Sequence, residues 1–115
     1  MIAGRRQAEV DALVAAVLNA HGRTPADLRR AVTARAAALA AGSTDRAALT
    51  LPTDVAGLVD TAALHAYQVT DQDLEALKSA GYTDDQLFEI AIAVAVGAAL
   101  GRLEIGLKAL RGSQP

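Results

Sequence analysis

One run of this chain has to be kept from water on nearly every side: FEIAIAVAVGAALGRLEIGL, residues 88–107, with no charge between Glu89 and Arg102. Large and small apolar residues alternate through it as Ile90, Ala91, Ile92, Ala93, Val94, Ala95, Val96 and Gly97. A bilayer, a buried strand or a packed helix would each supply a dry environment. A bilayer span needs about 20 apolar residues, and the uncharged stretch from Ile90 to Gly101 has twelve, so no membrane span is expected. Ile90, Ile92, Val94 and Val96 alternate as in a strand, but the intervening residues are small rather than polar, and alanine and glycine are poor strand formers.

The helical reading has more support. Thr83 and Gln86 match a capping box, in which each side chain satisfies the other residue's free backbone N–H. Asp84 and Asp85 follow in the first turn, where the helix dipole favours negative charge. Val96, Leu100, Leu103, Leu107 and Leu110 then recur in steps of four and three, a heptad-like seam. Ala93, Gly97 and Gly101 form a second stripe of small residues, where another helix can come close. A helix that is apolar all round must be buried all round, which is hard to arrange within 115 residues. The expectation is therefore a homo-oligomer, with Ala93, Val96, Gly97, Leu100 and Gly101 at the interface.

Composition agrees with an all-α fold. Apolar residues make up 52% of the chain and aromatic ones only 3%, so Ala, Leu and Val must build the core, and such side chains suit closely packed helices. A net charge of −2 gives no electrostatic reason to expect nucleic acid or an acidic membrane surface. The absence of cysteine excludes disulfides and thiol chemistry in the chain itself. The start, MIAGRRQAEVDALV, reaches charge at once, so no secretory leader is expected and the expected location is cytoplasmic.

Along the chain, Val10, Leu13, Val14, Val17 and Leu18 mark one helix face, with Gly22 as its expected stop. RTPADLRRAVTARAAALAAG reads as a second helix, capped by Thr24, with Pro25 at its first position and Gly42 at its end. Arg29, Arg30 and Arg35 are expected on its solvated face. After the loop STDRAALTLPTD, Thr53 or Asp54 caps VAGLVDTAALHAY. VTDQDLEAL opens a short helix, capped by Thr70 or Asp71 and stopped at Gly81, and the long helix follows. The whole of 1–115 reads as one domain of about five helices.

Residues 51–112, LPTDVAGLVDTAALHAYQVTDQDLEALKSAGYTDDQLFEIAIAVAVGAALGRLEIGLKALRG, resemble the carboxymuconolactone decarboxylase/AhpD-like superfamily. The likeness lies in the run of a helix, a VTD-x-D-x-x-AL-x-x-AG helix and turn, and a long DD-x-x-FE helix ending in RLE. Residues 1–42 are divergent. The resemblance implies an all-α fold that assembles as trimers or hexamers. Redox members of the family carry a CxxC pair beside a histidine and a glutamate. With no cysteine here, thiol peroxidase and disulfide reductase activity are excluded unless another protein supplies the thiols.

Few residues could carry chemistry. His65 could act as a base and Tyr67 as a hydrogen-bond donor, but residues two apart on a helix do not share a face. The favoured reading is a helix-end histidine beside a tyrosine covering the core edge. Glu89 and Arg102 flank the apolar run and suit structural ion pairs. An enzyme reading would combine His65, Glu89 and Arg102 as base, acid and anion clamp for a small carboxylate or lactone-like ligand. His21 reads as a helix C-terminal cation. Two histidines and no cysteine make no metal set, and no cofactor is expected. DLEALKSAGYTDDQLFEIAIA has the outline of a helix-turn-helix, but carboxylates at the head of its second helix would repel phosphates. The leading expectation is a non-thiol, homo-oligomeric structural or interaction module with room for a protein partner. The alternative is a non-thiol enzyme or small-ligand binder of the same fold.

Overall fold

The computed structural model describes residues 5–19, 22–43 and 51–112. These form five α-helices: α1 (Arg5–Asn19), α2 (Ala26–Ala40), α3 (Thr53–His65), α4 (Asp71–Ser79) and α5 (Asp84–Gly112). One 3-10 turn, Ala66–Gln68, follows α3, and no strand occurs among the described residues. The fold is all-α. His21 and the first part of the loop before α3 lie outside the described residues.

The ends of the helices follow local chemistry. Thr83 N–H donates to Gln86 Oε1 at 2.9 Å and Gln86 N–H to Thr83 Oγ1 at 3.2 Å, which completes the expected capping box before α5. Thr70 and Asp73 make the same reciprocal pair at the start of α4. Gly42 and Gly81 adopt φ of 94° and 109°, the left-handed conformation that ends a helix at little cost in glycine. In both, the next residue's N–H reaches back five positions, Ser43 to Ala38 and Tyr82 to Leu77, as a Schellman motif requires.

Two expected caps are not made. Pro52, rather than Thr53 or Asp54, precedes α3, and neither α2 nor α3 has a side-chain cap. Pro25 and Pro52 instead hold φ near −55° with extended ψ, and their carbonyls accept the first helical N–H groups.

The core lies between α2, α3 and α5. Val32, Ala36 and Leu39 of α2 meet Val55, Val59 and Ala63 of α3 and Ile90, Ala93 and Val94 of α5. α2 and α5 run in the same sense, since Thr33 lies against Ala93 and Gly97 while Ala37 and Ala40 lie against Gly101. Gly97 and Gly101 are what allow this approach. A Cβ on Gly97 would run into the Thr33 carbonyl oxygen, and one on Gly101 into that of Ala37. Thr33 Oγ1 also donates to the Ala93 carbonyl at 3.1 Å.

The small-residue stripe is thus occupied by the chain's own α2. Ala93, Gly97 and Gly101, expected at a subunit boundary, are buried within one chain. The heptad-like seam is also partly taken, because Val96, Leu100, Leu103 and Leu107 face α1 across apolar grooves. The arginines of α2 depart from expectation as well. Arg30 is exposed, but Arg29 and Arg35 are buried. Arg35 makes a two-pronged bond to Asp60 of α3, Nε to Oδ1 at 2.5 Å and Nη2 to Oδ2 at 2.8 Å.

Candidate functional site

Glu89 sits one turn into α5 and reaches the connection between α1 and α2. Its carboxylate accepts the Arg23 N–H at 2.6 Å on Oε1, and the Thr24 N–H at 3.0 Å and Thr24 hydroxyl at 3.2 Å on Oε2. Thr24, expected to cap α2, is therefore turned to Glu89. Gly22 lies against this carboxylate, where a Cβ would strike Glu89 Oε1. Gln86 Nε2 adds a bond to the Arg23 carbonyl at 3.2 Å. Partial burial pushes the Glu89 carboxyl up, but the Arg23 and Thr24 donors and the nearby Arg29 charge outweigh it and hold its pKa below the usual range. A carboxylate with both oxygens taken and a lowered pKa is a clamp between segments, not a proton donor.

Arg102 is thirteen residues further along the same helix, about 20 Å at 1.5 Å per residue. Its Nη2 donates to the carbonyl of Ala63 in the last turn of α3, at 3.2 Å, where a cation complements the helix end. His65 and Tyr67 lie at that same end. Their rings meet edge-to-face with centroids 5.9 Å apart, contrary to the expectation for two residues on one helix. The reason is that α3 stops at His65, where φ and ψ are −145° and 66°, and the 3-10 turn that follows redirects Tyr67. Both side chains are exposed, Tyr67 by 82%. His65, Glu89 and Arg102 therefore do not line one cavity within the chain. No group of three or more His, Cys, Asp or Glu residues with metal-binding geometry occurs among the described residues.

The most distinctive surface is apolar. α2 and α3 cover two sides of α5, and α1 partly covers a third. The fourth side carries Phe88, Ile92, Ala95 and Ala99, all exposed, with Phe88 at 66% and Ile92 at 37%. Leu13 of α1, 67% exposed, borders it. Between them runs a groove of about 190 Å³, lined by Val10, Val14, Val17, Val96 and Leu103. By length and composition α5 could cross a bilayer: an 18-residue window reaches a mean hydropathy of 1.8, with a third of that window buried. This exposed side is distinct from the stripe of Ala93, Gly97 and Gly101, which α2 covers within the chain. No protein-family model, no curated protein and no solved structure matches the chain.

Proposed function

We propose that the chain is a non-thiol, homo-oligomeric structural or interaction module, a cysteine-less relative of the AhpD-like proteins that residues 51–112 resemble. The open apolar side of α5 carries this reading. Large exposed apolar patches on small soluble domains mark contact surfaces, and here Phe88, Ile92 and Leu13 stand on one side of the molecule.

Sedimentation velocity tests the reading. The native chain is expected to sediment as a multiple of its 11.8 kDa mass, and Ile92→Asp, on the open side, to shift it to the single-chain mass with unchanged helix content by circular dichroism. Sedimentation of the native chain as a single chain would contradict it. Co-sedimentation of that single chain with phosphatidylcholine–phosphatidylglycerol vesicles would assign the apolar side to a membrane instead.

A further inference from the structure

We infer that α5 pairs with α5 of a second copy, antiparallel and about a two-fold axis, along the seam Asp85–Phe88–Ile92–Ala95–Ala99–Arg102. This rests on the self-assembly reading above and specifies its geometry; of the trimer and hexamer that the resemblance implies, two-fold pairing fits the hexamer and not the trimer. The six residues follow steps of three, four, three, four and three, so they form one stripe on a helix of 3.6 residues per turn. The stripe lies opposite the buried side formed by Ile90, Val94, Gly97 and Gly101, and all six residues are exposed.

The order of residues along the seam makes it complementary to its own reverse. Turned end for end, Asp85 meets Arg102, Phe88 meets Ala99, and Ile92 meets Ala95. Acid faces base and each large side chain faces a small one. A two-fold interface needs this property, because the same patch must fit itself. Antiparallel pairing also sets the acidic first turn of each α5 beside the latter half of its partner, where opposed helix dipoles attract. Phe88 would enter the partner's groove beside Ala99, between Leu13, Val17 and Val96. Asp85 has only a long 3.9 Å contact to Arg23, with both side chains 76% exposed. It is free to turn toward the Arg102 of a second copy, which gives its Nη2 to the Ala63 carbonyl within its own chain and would meet Asp85 through its remaining N–H groups.

The chain has no cysteine, so engineered pairs report geometry without background. In the double variant Asp85→Cys, Arg102→Cys, mild oxidation is expected to give a covalent dimer, because the thiol introduced at position 85 of each copy faces the one at position 102 of the other within disulfide reach. Neither single variant should link to itself, since like positions lie about 26 Å apart along the pair. Phe88→Ala, which leaves both ends of the seam intact, should weaken assembly about tenfold or more by sedimentation.

Self-linking of either single variant would show parallel packing and overturn the pairing. So would an odd-numbered assembly, or an oligomer in which the double variant does not link. Those results leave self-assembly standing. A single-chain mass for the native protein overturns both.

Discussion

Glu89 shows how one side chain can tie distant segments together. It holds the connection between α1 and α2 against the start of α5 through the Arg23 and Thr24 donors. Glu89→Gln keeps the shape but loses the charge, and is expected to cost about 1–3 kcal/mol at pH 7. The pH dependence has a definite sign. The folded pKa is lowered, so the stabilisation is complete above the unfolded value of about 4.3 and is lost as pH falls through the lower folded value. Urea titrations from pH 7 to pH 3 should therefore show the gap between native and Glu89→Gln proteins narrowing with acid; a constant gap would contradict the clamp.

Arg35 and Asp60 form the other long-range tie, with side chains only 10% and 18% exposed. The bond to Asp60 raises the Arg35 pKa further, against the opposing effect of burial. Asp60→Ala removes the two-pronged carboxylate partner of a buried guanidinium and should cost about 3–5 kcal/mol, while replacing both residues by apolar ones should cost much less. Denaturant midpoints of the two variants decide this. Neither tie was legible in the sequence. Their partners lie 65 and 25 residues away, and local spacing carries no signal over such distances. Arg29 and Arg35 looked like a solvated face for the same reason.

Among the elements, what depends on neighbours in sequence was readable. The Thr83–Gln86 capping box and the glycine stops at Gly42 and Gly81 involve only a few consecutive residues, and the structure contains them. Thr83→Ala should lower stability by about 0.5–2 kcal/mol, seen as a lower thermal midpoint. The stripe of Ala93, Gly97 and Gly101 was equally legible as a close-approach surface, but not which helix approaches. The answer is α2. Gly97→Ala pushes a Cβ into the Thr33 carbonyl, so it should destabilise the fold by about 1–3 kcal/mol. An unchanged denaturation midpoint would contradict the contact. The meeting of His65 with Tyr67 was missed because nothing in VDTAALHAYQ marks the switch from α-helix to 3-10 turn at His65.

At the scale of the whole molecule, the long helix is divided among its neighbours. α2 holds the glycine side, α3 a second side and α1, less closely, a third. That leaves Phe88, Ile92, Ala95 and Ala99 facing water. The pattern marks α5 as apolar on nearly every side; within the chain the stripe of Ala93, Gly97 and Gly101 is taken by α2, and the exposed stripe is the less regular mixture of large and small residues opposite it. The most direct measurement is the light-scattering mass of the native chain at tens of micromolar concentration, expected to be an even multiple of 11.8 kDa. A single-chain mass that stays constant with concentration would contradict self-assembly through α5.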